Sequence, residues 1–162
     1  MSLIFRKLNA EEAHTVQEIA TDSWYSAYQG IYDDAYIEKW LRDKYKLETI
    51  KEEIKRSLND EGILFVGVFE DSTCLGFIEY YYSQKYSKLL RLYLRPEKFR
   101  MGYGKALIQF TERYLKKYGV HGCELEVNKM NLRAISFYKD SGYVVTGNIK
   151  DQYIMAKEFK IA

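Results

Sequence analysis

The chain has 162 residues, 47% of them apolar and 30% charged, with 25 basic against 23 acidic side chains and a net charge of +2. This is the composition of one globular domain with enough apolar mass for its own core, and so even a charge balance excludes a surface built to wrap nucleic acid. Cys74 and Cys123 are far apart, and His14 and His121 lack metal-ligand spacing, which argues against a disulfide scaffold or a metal site and for a reduced compartment.

Ile4 to Lys7 reads as a short first strand. Asn9, with Glu12 three residues on, has the pattern of a capping box. Ala13, Val16, Ala20, Trp24 and Ala27 then recur at helical spacing until Gly30. Residues 34–42 and 47–58 read as two further helices, with Ile37, Leu41, Ile50, Ile54 and Leu58 turned inward. The pattern changes at Gly62. Ile63 to Phe69 is a continuous apolar run suited to a central strand, Asp71-Ser72 signals a turn, and Leu75 to Tyr82 is the returning strand of a hairpin. Lys88 to Leu94 is a further strand, stopped at the lone proline, Pro96.

Gly104 to Tyr118 reads as a helix with Leu107, Phe110, Tyr114 and Tyr118 on one face and Gly119 behind it. Cys123, Leu125 and Val127 alternate with polar neighbours as a strand does. Asn131 to Ser141 is a short helix capped by Asn131 and followed by Gly142. Tyr143–Thr146 and Tyr153–Lys157 are two closing strands around Gly147-Asn148. The order β-α-α-α-β-β-β-α-β-α-β-β describes one α/β domain over residues 1–162, a mixed sheet covered by helices. No run approaches the ~18 apolar residues of a membrane span, and the first ten residues carry no signal-peptide pattern, so a cytoplasmic location is expected.

Two segments carry chemistry. From Leu92 to Leu107 a strand runs into a glycine-bearing loop that opens a helix. The first turn of a helix leaves about four backbone N–H groups unpaired, and with the helix dipole they attract anionic oxygens. Gly102 and Gly104 lack Cβ atoms, so a phosphate can come close to the backbone, while Arg100 and Lys105 add positive charge; a diphosphate suits such a site. Gly104-Lys105-Ala106 does not supply a Walker loop, and Leu107 stands where the dinucleotide fingerprint needs its third glycine. Alone, the segment reads equally well as a helix entry with turn glycines. In the second segment, Asn131, Ala134, Ile135 and Tyr138 fall on one helical stripe, and Phe137 points about 100° away toward a core. By itself Tyr138 reads as a half-buried helix tyrosine.

Together the two segments resemble motifs of the GCN5-related N-acetyltransferase (GNAT) superfamily. Its acetyl-CoA signature, Gln/Arg-x-x-Gly-x-Gly/Ala, is matched by Phe99-Arg100-Met101-Gly102-Tyr103-Gly104, and its later pattern by Asn131, Ala134, Phe137, Tyr138, Gly142 and Tyr143. The element order matches too, so the resemblance spans the chain and implies the GNAT fold with its splayed central sheet. Phe99 departs from the Gln/Arg of the signature, and an arginine follows one place later, which shifts the expected diphosphate grip toward backbone amides and Arg100. Within the superfamily the chain resembles the bacterial and archaeal polyamine N-acetyltransferases through Asp22–Tyr28, Gly76–Glu79, Leu89–Leu94 and Tyr153–Lys157.

The resemblance implies acetyl-CoA as co-substrate, no metal, and a carrier held by Leu92, Tyr93 and Leu94, by Phe99, Arg100, Met101, Gly102, Tyr103, Gly104 and Lys105, and by Asn131 and Tyr138. The amine attacks the thioester directly, with a backbone N–H near Leu94 facing the oxyanion and Tyr138 as general acid to the leaving thiolate. A phenol of pKa ~10 donating to a thiolate of conjugate pKa ~8.5 runs uphill by roughly 2 kcal/mol, so a hydrogen bond to the sulfur suffices. An alkylammonium of pKa ~10.4 must shed its proton before it attacks. Glu79 is the candidate base and a candidate substrate contact, with a solvent-facing strand carboxylate an equal reading. Trp24 and Tyr28, with Asp22, are candidates to hold a cationic amine by charge and cation–π contact, and Trp24 also fits the apolar stripe. The expected acceptor is a small primary amine such as spermidine or spermine. An antibiotic, an amino acid, a protein N-terminus or lysine, and a non-catalytic acetyl-CoA-binding regulatory role stay open, as does a homodimer through the closing strands. Neither nucleic acid nor membrane is an expected partner.

Overall fold

Hydrophobic alternation and two turn signals place the strands, and the helices follow from the stripes between them. In the computed structural model, which describes residues 2–160, the elements are β1 (Leu3–Lys7), α1 (Ala13–Tyr28), α2 (Asp34–Lys44), α3 (Leu47–Leu58), β2 (Ile63–Glu70), β3 (Thr73–Tyr82), β4 (Tyr86–Leu94), α4 (Tyr103–Lys117), β5 (Gly122–Asn128), α5 (Leu132–Asp140), β6 (Val144–Ile149) and β7 (Gln152–Glu158). This is the expected order. The strands form one sheet in the order β1-β2-β3-β4-β5-β7-β6. Neighbours run antiparallel except β4 and β5, which are parallel. Among the described residues no helix is long and apolar enough to cross a membrane.

The run Ile63–Phe69 is buried throughout because β2 has helices over both faces. Val16, Ile19, Ile37, Ile50 and Ile54 of α1, α2 and α3 meet Phe65 and Phe77 on one side. Leu107, Ile108, Leu115 and Ile135 of α4 and α5 meet Leu64, Ile78, Leu125 and Met155 on the other.

The capping box at Asn9 and Glu12 is present, and it opens a short 3-10 turn, Ala10–Glu12, which then feeds α1. Two local expectations need correction. Leu58 is exposed rather than inward, and Ser57 takes the buried position. The β1–β2 ladder ends at Lys7↔Val66, so the next N–H on β2, that of Phe65, needs another acceptor; Ser57 Oγ provides it at 2.9 Å. On α4 the core face is Leu107, Ile108, Thr111 and Leu115. Phe110 and Tyr114 lie on the flank, where Phe110 stacks on Phe5 of the edge strand at 5.4 Å, and Tyr118 is exposed.

The feature that positions the site is a fork. β4 and β5 pair only at Tyr86↔Gly122, Ser87↔Cys123 and Lys88↔Glu124. Beyond that, Leu89–Leu94 keeps only β3, and Leu125–Asn128 keeps only β7. A bulge between Glu79 and Tyr80 lies beside the point of parting, and a bulge bends and twists its strand pair. Helix α1 then ties the free end of β4 in place. Ser23 Oγ donates to the Leu94 carbonyl at 2.6 Å, Trp24 Nε1 donates to Tyr93 Oη at 2.9 Å, and Arg95 pairs with Glu18 at 2.6 Å.

Ser57→Ala strands the buried Phe65 N–H, so urea unfolding is expected to show a loss of about 1–3 kcal/mol; an unchanged midpoint would mean that water replaces the hydroxyl.

Candidate active site

The fork opens a cleft of about 800 Å³. Its first wall is the edge of β4. The Arg95 N–H donates to the Leu75 carbonyl at 2.9 Å, and Tyr93 stands opposite Phe77. Antiparallel pairs alternate in the direction of their polar groups, so Tyr93 and Arg95 turn theirs toward β3 while Leu92 and Leu94 turn theirs into the cleft. Ser23 occupies the Leu94 carbonyl. The N–H and C=O of Leu92 and the N–H of Leu94 are left facing the space that β5 vacates.

The second wall is the loop before α4. After a 3-10 turn at Pro96–Lys98, Arg100 (φ 65°) and Gly102 (φ 84°) adopt left-handed conformations. Gly102 caps α4 without a side-chain hydrogen bond, and the first helical bond runs from Ala106 N–H to the Gly102 carbonyl at 3.0 Å. The N–H groups of Tyr103, Gly104 and Lys105 therefore have no protein acceptor among the described residues. The two glycines serve different ends. A Cβ at Gly102 would meet nothing within 4 Å, and the positive φ is what calls for glycine there. A Cβ at Gly104 would lie 3.1 and 3.2 Å from the Phe137 ring, so this glycine makes room for α5 as well as for a ligand.

Three cations, Arg100, Lys105 and Arg133, line the same cleft with one carboxylate, Asp140, and among the described residues none of the three forms an ion pair. The Arg133 guanidinium lies 3.8 Å over the ring of Phe99, and burial together with Arg100 lowers its pKa. Phe99 is thus a platform for an arginine brought from α5, which returns positive charge beside the position where the signature has Gln or Arg. Arg133 sits in the first turn of the capped helix, but only the folded chain shows that it reaches Phe99.

The third wall is α5. Asn131 Oδ1 accepts from the Ala134 N–H at 3.2 Å, and its amide donates to Tyr28 Oη at 3.3 Å, which ties the start of α5 to α1. Tyr138 is buried and lines the cleft, and its hydroxyl makes no hydrogen bond to the protein among the described residues. Burial raises its pKa well above the ordinary phenol value, helped by Tyr93, Cys123 and Tyr28. The group stays protonated at neutral pH and is a donor.

Of the sequence-predicted carrier contacts, Leu92, Tyr93, Leu94, Phe99, Arg100, Gly102, Gly104, Lys105, Asn131 and Tyr138 line the cleft. Met101 is exposed outside it and Tyr103 packs against the core. Ser23, Ala27, Arg133 and Phe137 line it as well; no local pattern marks Ser23 or Ala27, because it is the packing of α1 on β4 that brings them there.

The three substrate candidates stand behind the lining. Trp24 stacks on Trp40 at 3.8 Å and meets the tilted ring of Tyr28 at 4.3 Å. Burial pushes the Tyr28 phenol up to about 12 against the pull of Asn131. Glu79 is neither solvent-facing nor part of the lining: it is fully buried. Arg91 reaches it at 2.9 Å and also holds Glu53 at 2.6 Å and the Lys44 carbonyl at 2.7 Å, while lying 4.5 Å over the Tyr45 ring. Glu79 Oε2 has no hydrogen-bond partner among the described residues. Burial pushes the Glu79 carboxyl up to about 8; Arg91 opposes this, and Glu53 adds to it.

A raised carboxyl pKa means that the unfolded chain releases its proton first as pH rises. Stability is therefore lost between about 4.5 and 8. Thermal melts of Glu79→Gln are expected to lack this decline, and parallel pH profiles for the two proteins would show that Glu79 does not titrate in this window.

The fold and the cleft are those of an N-acetyltransferase: a forked parallel pair with an exposed strand edge, unpaired amides at a helix start, and a tyrosine donor facing both. Residues 15–143 match the Acetyltransferase (GNAT) family, and the chain belongs to it. It is 41% identical over 160 residues to a spermidine N(1)-acetyltransferase of Thermoplasma acidophilum, an alignment covering 99% of each chain. The crystal structure of the PaiA N-acetyltransferase from Thermoplasma acidophilum in complex with coenzyme A superposes with a TM-score of 0.95 at 42% identity, covering 98% of this chain and 100% of that one. The ribosomal-protein-S18-alanine N-acetyltransferase of Escherichia coli shares the fold at a TM-score of 0.74 and 17% identity, covering 99% of this chain and 96% of that one.

Proposed function

We propose that this acetyltransferase takes its acetyl group from acetyl-CoA and places it on a primary amine of a polyamine. The observation that carries the donor is the unpaired edge of β4 beside the unpaired amides of α4. The diphosphate sits on the N–H groups of Tyr103, Gly104 and Lys105, within reach of Arg100 and Arg133. The pantetheine arm runs along Leu92 and Leu94 as an added strand, gaining main-chain hydrogen bonds. The likeness to a spermidine N(1)-acetyltransferase over 99% of both chains supports the acceptor. Beyond Tyr28, Tyr32 and Tyr36 continue an aromatic line toward the surface, and Asp151, which accepts from Tyr32 Oη at 3.3 Å, adds negative charge suited to a cation. Buried free thiols at Cys74 and Cys123 fit a cytoplasmic setting.

The amine nitrogen attacks the thioester carbon, the carbonyl electron pair moves to oxygen, and the Leu94 N–H stabilises it. Collapse expels the thiolate. Because burial raises the Tyr138 pKa, full transfer of its proton is more uphill than for an ordinary phenol, and a hydrogen bond to the developing sulfur anion is its contribution. For the proton that the amine sheds, Glu79 has a pKa near neutrality, as a base should, but it reaches the cleft only past Arg91, through an intervening hydroxyl or solvent.

Tyr138→Phe is expected to leave calorimetric coenzyme A affinity nearly intact and to lower kcat by more than about tenfold, or ~1.4 kcal/mol; unchanged kcat removes Tyr138 from the chemistry. Arg133→Ala is expected to weaken coenzyme A binding by roughly 1.5–3 kcal/mol and to flatten its dependence on salt, with unaltered titrations excluding a diphosphate contact. Free-thiol release is expected to be faster with spermidine or spermine than with amino acids or peptides, and a preference for peptides would move the acceptor to protein amines.

A further inference from the structure

Tyr93 is a cleft-lining residue whose hydroxyl proton has a direction set by its neighbours. Its ring is held between Tyr45, edge-on at 6.2 Å, and Phe77 at 5.9 Å. The Trp24 indole donates to its oxygen at 2.9 Å. Trp24 is itself clamped by Trp40 and Tyr28, so this bond is fixed on both sides. An indole N–H gives a proton and has no acceptor. The Tyr93 O–H must therefore point elsewhere. The adjacent Arg91 offers only donors. The buried Tyr45 hydroxyl has no partner within hydrogen-bonding geometry among the described residues, and its influence on Tyr93 is that of a donor, which lowers the Tyr93 pKa, so it does not receive the proton. What remains is the cleft that Tyr93 lines together with Tyr138 and Leu94.

We propose that Tyr93 is a catalytic hydrogen-bond donor to the thioester oxygen, acting beside the Leu94 N–H, and that Trp24 is its positioning residue. The inference rests on the acetyl-CoA reading above. As the nitrogen–carbon bond forms, the carbonyl π pair moves onto oxygen, and the Tyr93 O–H shortens its hydrogen bond to that oxygen without transferring its proton. On collapse the pair returns, the carbon–sulfur bond breaks, and Tyr138 serves the departing sulfur. The two tyrosines thus divide the two centres of developing charge. Burial raises the Tyr93 pKa, with Tyr45 and Trp24 opposing, which keeps the donor protonated at working pH.

The test compares wild type, Tyr93→Phe, Trp24→Phe and the double variant by free-thiol release with spermidine and by coenzyme A calorimetry. Tyr93→Phe is expected to lower kcat by at least about tenfold with KM for acetyl-CoA nearly unchanged. Trp24→Phe is expected to lower kcat less, and to cost nothing further once Tyr93 is already Phe. Unchanged kcat in Tyr93→Phe, or losses that simply add in the double variant, overturns the proposal. Should the Trp24 variants fail to fold, a fluorinated tyrosine at position 93 keeps the shape and acidifies the phenol. The alkaline limb of kcat is then expected to move to lower pH, and a limb that stays put also overturns it. Wild type that neither binds coenzyme A nor turns over refutes the acetyl-CoA reading instead.

Discussion

Two neighbouring strands that part after three residue pairs set the terms for the rest of this molecule. An open strand edge inside a sheet is ordinarily a liability, because its N–H and C=O groups invite pairing with any extended chain. Here the opening is braced. The bulge at Glu79/Tyr80 lies where β4 leaves β5, and the last two residues of β4, Tyr93 and Leu94, together with Arg95 just after it, are each bound by α1. Helix α5 approaches the gap from the far side and is tied to α1 through Asn131 and Tyr28. The main-chain edge, the helix start and the tyrosine hydroxyls all face one space because the fork holds them around it.

The electrostatics of that space are divided. Arg100, Lys105 and Arg133 outnumber Asp140, the carboxylate of the cleft lining, and the surplus of positive charge suits a polyanionic carrier. Deeper in, the polar groups are phenols whose pKa values burial pushes up. A neutral donor with a raised pKa contributes hydrogen bonds without adding a charge that the interior would have to solvate. Glu79 is kept behind Arg91, and burial pushes its carboxyl toward the neutral form, so it adds little negative charge beside the cleft.

Much of this was legible in the sequence wherever the signal was local. The apolar run Ile63–Phe69, the cap at Asn131, the glycine-bearing loop that opens α4 and the stripe that carries Tyr138 each follow from a few neighbouring residues. What was not legible depends on a partner distant in the chain. Lys88–Leu94 has the same alternation whether or not β5 stays beside it, so the fork leaves no local trace. Leu58 and Ser57 compete for one inward position, and the winner is decided by an unpaired amide on β2. Glu79 has the pattern of a solvent-facing strand residue, and only Arg91 on the next strand makes its burial tolerable. The guanidinium over Phe99 comes from α5, outside the signature, so nothing near position 99 in the sequence announces it.

The contact between Gly104 and Phe137 joins the two halves of the site mechanically. The Phe137 ring lies 3.1 Å from where a Cβ at position 104 would stand and meets the ring of Tyr138 edge-on at 5.3 Å. A methyl group at 104 would press on the ring, and the ring would pass that displacement to the neighbouring phenol. The amide cradle and the donor tyrosine are therefore not independently adjustable. Positions 104 and 137 behave as a single locus in this chain, where bulk gained on one helix must be surrendered on the other.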